Sequence, residues 1–140
     1  MHVWLHATCI ELDCTGVVLL GPSGSGKSDL ALRLIDAGAI LVADDQVLIE
    51  RVGAGLCARP AEALAGLLEV RGVGIQKLPH SPASSLRLVA QLEPDGILPR
   101  LPERTSYSLL GVELPQLRLD PRLPSACAQV RIALRAERVA

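Results

Sequence analysis

The chain has no phenylalanine, one tryptophan (Trp4) and one tyrosine (Tyr107) among its 140 residues. That shortage argues against a protein that binds bases or single-stranded nucleic acid by stacking them on aromatic rings. An excess of charge of either sign is missing too. The formal net charge is −1 and no basic cluster stands out, which speaks against nucleic acid and against an anionic membrane surface. Apolar runs are far shorter than a membrane span. Met1-His2-Val3-Trp4 lacks the charged start and apolar core of an export signal, so the expected location is the cytoplasm. The four cysteines, Cys9, Cys14, Cys57 and Cys127, form no C-x-x-C and no paired Cys/His spacing. They read as reduced thiols packed as small apolar side chains, not as a zinc site or a disulfide frame. No repeat, low-complexity tail or internal boundary appears, so residues 1–140 are expected to form one domain.

What is present is an apolar chain, 49% hydrophobic and built mainly of Leu, Val and Ala, with one dense motif. Gly21-Pro22-Ser23-Gly24-Ser25-Gly26-Lys27-Ser28 reads G-x-x-x-x-G-K-S, the P-loop pattern. Its glycines let successive backbone N–H groups turn inward around phosphate oxygens. Lys27 can reach the β- and γ-phosphates, and the Ser28 hydroxyl can ligate Mg²⁺. The motif requires a strand before it and a helix after it. Residues 16–21 supply an apolar strand and residues 29–37 a helical run with Gly38 as its stop.

Around that centre, residues 3–12 read as a strand, residues 13–16 as a turn, and 17–20 as the returning P-loop strand. An opening β-hairpin is therefore expected. Residues 39–45 form an apolar run ending in Asp44 and Asp45, which reads as a buried parallel strand. Carboxylates at the end of such a strand are where P-loop enzymes place a metal-ordering or base residue. Adjacent strand residues point to opposite faces, and geometry alone does not choose between the two. Residues 46–52 and 56–58 read as strands about the turn Gly53-Ala54-Gly55. Pro60 fits the first turn of a helix running to about Leu67.

In Leu68-Glu69-Val70-Arg71-Gly72-Val73-Gly74-Ile75, two glycines stand beside a Glu and an Arg. Glu69 can complete a metal shell and Arg71 can neutralise phosphate charge. An ordinary turn with a surface ion pair fits the same residues. Residues 85–92 read as a strand, and the proline-rich stretch 94–106, with Arg100 and Arg104, as an exposed loop of the kind that closes over nucleotides. Residues 109–119 read as one or two strands interrupted by Pro115, and 128–135 as a last strand. Strands outnumber helices, so the expected fold is α/β with a mixed β-sheet and few helices.

Taken together, His6 in L-H-A-T-C-I-E-L, the P-loop V-V-L-L-G-P-S-G-S-G-K-S, L-V-A-D-D and L-L-E-V-R-G-V-G-I resemble the bacterial HPr kinase/phosphorylase catalytic domain. The resemblance covers most of the chain. It implies a P-loop kinase core similar to that of phosphoenolpyruvate carboxykinase. The implied activity is ATP- and Mg²⁺-dependent phosphorylation of a serine on an HPr-like phosphocarrier of the phosphotransferase system. Position by position it implies His6 as an active-site histidine, Lys27 as the P-loop lysine, and Ser28 and Glu69 as magnesium ligands. Asp45 is implied as acceptor of the serine's proton, and Arg100 as an active-site arginine. Residues 68–77 match a segment that the family uses in both directions of the reaction. The family also assembles into hexamers.

Two departures accompany these matches. The family's separate N-terminal domain is not expected in this chain, whose residue 1 already falls at the start of the resembling catalytic domain. Where the family carries G-R-N-L-A, linked to the phosphorylase reaction, this chain has Asp120-Pro121-Arg122-Leu123-Pro124-Ser125-Ala126. The pattern looks like the short versions found in some Gram-negative bacteria, and reverse phosphorylase activity is accordingly not assumed. Two other readings fit the P-loop: a nucleotide-binding regulatory module without transfer, and a small-molecule kinase on the same core.

Overall fold

A computed structural model of the chain describes residues 1–136, 138 and 139. The first strands are β1 (His2–His6), β2 (Thr8–Leu12) and β3 (Thr15–Leu20). Helix α1 (Lys27–Asp36) follows the P-loop and leads to β4 (Ile40–Ala43), β5 (Gln46–Val52) and β6 (Gly55–Pro60). A hairpin of β7 (Leu67–Val70) and β8 (Gly74–Lys77) precedes the long β9 (Ser84–Leu92). Then come β10 (Thr105–Leu109), β11 (Val112–Leu119) and α2 (Ala126–Arg135).

Among the described residues, nine strands form one mixed sheet. Its main path runs β1-β5-β6-β9-β3-β2-β4, with β11 on β9 and β10 on β11. The pairings β3–β9 and β9–β11 are parallel, and every other strand pairing is antiparallel. β9 is the hinge of the sheet. One of its edges runs along β3, while Ser84 and Ser85 pair with β6 and Val89–Leu92 with β11.

Period-2 alternation in β3 places Val17 and Leu19 in one core and Val18 and Leu20 in the other. The first core is closed by Leu30, Ala31 and Leu34 of α1 and by Ala126 and Val130 of α2. The second is closed by Val47 and Ile49 of β5, Leu56 of β6, and Leu109 and Leu114. A strand buried on both faces has no need of polar alternation, which is why residues 17–20 are uniformly apolar. The register shifts where Gly16 and Val17 pair with Leu86 and Leu88, so Arg87 is an extra residue and the phase of β9 changes there. Among the described residues, no helix is long and apolar enough to cross a membrane.

Five sequence expectations are corrected. Residues 3–12 are two strands broken at Ala7, because β1 pairs with β5 whereas β2 lies between β3 and β4. The run 39–45 does not pair with a parallel strand, and its parallel contact is an isolated bridge from Leu41 to His80. Its strand part, β4, is antiparallel to β2 at the end of the sheet's main path, and apolar character reports burial but not a neighbour's direction. Pro60 does not begin a helix to Leu67: it closes β6, only Glu62–Leu64 form a short 3₁₀ turn, and β7 begins at Leu67. Residues 128–135 are not a strand but part of α2. Val130, Ile132 and Leu134 alternate with polar or small residues and imitate a strand. The buried set is Ala126 and Val130, with Cys127 and Leu134 packed behind them, which is the one-and-four spacing of a helix face. Pro115 does not interrupt β11. It sits where β11 is still an edge, since pairing with β9 starts at Gln116.

Candidate active site

The P-loop leaves the end of β3 and enters α1 through Gly26, whose φ of 99° lies in the left-handed region open to glycine. Gly21 is needed for a different reason. A Cβ placed there would lie 2.5 Å from the Ser25 hydroxyl oxygen, so the loop's two arms close on each other only without a side chain. Ser25 itself is buried, and its hydroxyl has no hydrogen-bond partner among the described residues.

Lys27 folds back onto this loop. Its Nζ donates to the Gly21 carbonyl at 2.7 Å and to the Pro22 carbonyl at 3.1 Å. Burial draws the lysine pKa below its ordinary value, and the nearby carboxylates of Asp44 and Asp45 oppose that shift. Among the described residues, these two carbonyls are the hydrogen-bond acceptors of the partly desolvated ammonium.

The two aspartates sit at the end of β4 and divide their work. Asp44 is nearly buried, and its Oδ1 accepts from the Ser28 hydroxyl at 2.8 Å and from the Thr8 hydroxyl at 2.9 Å. Asp45 is exposed and has a φ of 71°. Across it Gln46 N donates to the Asp44 carbonyl at 2.9 Å, which closes the rare, strained positive-φ γ-turn. The Asp45 carbonyl is tied down by Ala7 N at 3.2 Å and by His6 Nδ1 at 3.1 Å. His6 Nδ1 also lies 3.2 Å from Asp45 Oδ1. Two acceptors face Nδ1, so the ring proton is assigned there, which leaves Nε2 as the lone-pair nitrogen when the ring is neutral.

These groups open into one cleft of about 610 Å³. Its walls include His6, Thr8, Lys27, Ser28, Asp44, Asp45 and, from the β7–β8 hairpin, Glu69, Arg71 and Ile75. Of the P-loop residues, Ser23, Gly24, Gly26, Lys27 and Ser28 line it, whereas Gly21, Pro22 and Ser25 do not. Arg100 is exposed in the loop between β9 and β10 and does not line the cleft.

The donor set suits magnesium. Ser28, Asp44 and Glu69 offer hard oxygens beside a phosphate cradle. Among the described residues no cluster of three or more His, Cys, Asp or Glu converges to enclose a metal. Thr8 was not singled out by its sequence. The available signal was its position two residues after His6, on the same face of the chain, but Ala7 breaks the strand between them.

The sequence model of the family described as HPr Serine kinase C-terminal domain matches residues 1–81. Among curated relatives, the chain is 36% identical over 132 residues to the HPr kinase/phosphorylase of Chlorobium chlorochromatii, covering 85% of this chain and 39% of that protein. It is 36% identical over 127 residues to the HPr kinase/phosphorylase of Streptococcus thermophilus, covering 82% and 41%. The chain thus spans about two fifths of the length of the curated relatives it matches. The solved HPr(Ser) kinase/phosphatase from Coxiella burnetii superposes with a TM-score of 0.82, over 95% of this chain and 94% of that one, at 22% identity. At that identity the likeness establishes a shared fold.

Proposed function

This chain belongs to the HPr serine kinase C-terminal domain family, and from that premise we propose that it is an ATP-dependent protein-serine kinase acting on an HPr-like phosphocarrier of the phosphotransferase system. The observation that carries the reading is the convergence, in one cleft, of the P-loop lysine and serine with two carboxylates and a histidine. A nucleotide-binding module needs the first pair; transfer to a hydroxyl needs a base as well.

In this reading backbone N–H groups of P-loop residues other than Pro22, which has none, and Ser25, whose own donates to the Pro22 carbonyl, hold the phosphates, and Lys27 leaves the Gly21 and Pro22 carbonyls for the β- and γ-phosphate oxygens. Ser28 and Glu69 are the residues that would hold magnesium, with Asp44 behind Ser28. When bound, the ion supplies charge neutralisation at the phosphates. Asp45 accepts the proton of the incoming serine hydroxyl as its oxygen attacks the γ-phosphorus in line. His6, donating from Nδ1, fixes the Asp45 carboxylate and backbone. Arg100 adds positive charge only if its loop closes over bound nucleotide. The same reading includes one catalytic domain, a core akin to phosphoenolpyruvate carboxykinase entered through a β2–β3 hairpin, a homo-oligomer (a hexamer by family resemblance) and action in the cytoplasm. It leaves reverse phosphorylase activity as a possibility that the altered stretch 120–126 weakens.

The test is transfer of label from γ-labelled ATP to purified HPr in the presence of Mg²⁺, with Lys27→Ala as the inactive control. Labelling by the wild type alone supports the kinase. An unlabelled HPr under every condition sinks it, and label on a metabolite pool in its place favours a small-molecule kinase.

A further inference from the structure

We propose that Thr8 is a positioning residue of this site: its hydroxyl holds Asp44 in the orientation that makes Ser28 a magnesium ligand. The inference rests on the kinase reading above but assigns a residue that the family resemblance leaves without a role.

Thr8 is 1% exposed, yet it lies at the inner wall of the cleft. Its Oγ1–H donates at 2.9 Å to Asp44 Oδ1, the atom that also accepts the Ser28 Oγ–H at 2.8 Å. One carboxylate oxygen therefore takes two hydroxyl protons. Among the described residues, no hydrogen bond reaches the other oxygen, Oδ2. For Ser28 to offer a lone pair to a cation, its proton must point elsewhere, and Asp44 Oδ1 is where it points.

Asp44 needs outside support to stay there. It lies one residue past the end of β4 and directly before the strained turn at Asp45, so the strand ladder does not hold its side chain. Thr8 supplies that support from β2, the neighbouring strand in the sheet, where Cys9 pairs with Ala43. The links from metal to protein thus run Ser28, Asp44, Thr8, each buried or half-buried. Partners of this outer kind orient ligands, and their loss typically weakens metal affinity by roughly 10- to 100-fold.

The experiment is a fluorescent-ATP binding titration on the full chain, in EDTA and then against rising Mg²⁺, for wild type, Thr8→Val and Thr8→Ser. Valine keeps the shape of threonine and removes only the hydroxyl; serine keeps the hydroxyl. Thermal melting of each variant reports folding. The expected result is similar nucleotide affinity for all three in EDTA. Thr8→Val should need roughly tenfold more Mg²⁺ for half of the metal-dependent gain, and Thr8→Ser should restore the wild-type requirement. A Thr8→Val requirement equal to wild type overturns the proposal. So does a Thr8→Ser variant as impaired as Thr8→Val, since the missing methyl would then be at fault. A wild type that shows no metal-dependent gain overturns the underlying reading along with it, and that outcome is distinct from the other two.

Discussion

His6 Nδ1 lies 3.1 Å from the backbone carbonyl of Asp45 and 3.2 Å from its carboxylate Oδ1. One ring nitrogen on β1 thus grips both the main chain and the side chain of a residue 39 positions later. The grip matters because Asp45 occupies a backbone conformation that non-glycine residues rarely adopt. With Asp45 as the proposed base, strain held there is a sign that its direction is controlled.

Replacing His6 by alanine should therefore loosen the base without unfolding the protein. Both side chains are more than half exposed, so the pair itself contributes under about 1 kcal/mol. The expected outcome is a roughly 10- to 100-fold fall in the transfer rate with a melting temperature close to wild type. Steady-state kinetics and a thermal melt check both halves.

Asp45→Gly separates strain from chemistry. Glycine accepts a φ of 71° without the Cβ clash, so urea denaturation should show stability unchanged or raised by up to about 1 kcal/mol. Transfer should vanish with the carboxylate. A variant markedly less stable than wild type would mean that Asp45 is not strained.

Lys27 gives a pH dependence of known sign. Burial lowers its pKa in the folded chain below the ordinary 10.5, against the pull of Asp44 and Asp45. Between the two values the unfolded chain holds more protons than the folded one, so stability rises with pH across that window. Below it the penalty for the buried ammonium is complete, and above 10.5 it is gone. Urea denaturation from about pH 8 to about pH 10 should show wild type gaining on Lys27→Met as pH rises. Subtracting the variant cancels the other titrating groups, and a flat difference would count against the buried ammonium.

The P-loop, its strand and its helix were legible because each rests on local chemistry: glycines that free the backbone, an apolar run before them and a 3.6-residue pattern after. From strand geometry Asp44 and Asp45 were legible only as a pair, and the family resemblance alone singled out Asp45. Their different surroundings come from a chain end beyond β4, where Asp44 turns inward to Ser28 and Asp45 outward to His6. Thr8 escaped notice because its partner lies 36 residues away. The antiparallel setting of β4 and the helical state of residues 126–135 escaped for a similar reason. An apolar run does not name its neighbour, and V-R-I-A-L satisfies a period of two almost as well as a period of 3.6.

Two substitutions in α2 distinguish those periods directly. In a strand, residues 130 and 132 would share one buried face. In the helix Val130 is buried and Ile132 is 63% exposed. Val130→Ala should cost about 2 kcal/mol, from two buried methyl groups, whereas Ile132→Ala should stay within about 0.5 kcal/mol. Chemical denaturation of the two variants measures the difference, and equal costs would favour the strand.

The most direct test of Asp45 as the base for serine phosphorylation is single-turnover transfer from Mg·ATP to HPr by Asp45→Asn, with nucleotide affinity measured on the same preparation. Asparagine keeps the shape and tolerates the left-handed backbone but accepts no proton. The expected result is a fall in transfer of at least about 100-fold with ATP affinity nearly unchanged. Transfer to the HPr serine at the wild-type rate by Asp45→Asn would contradict it.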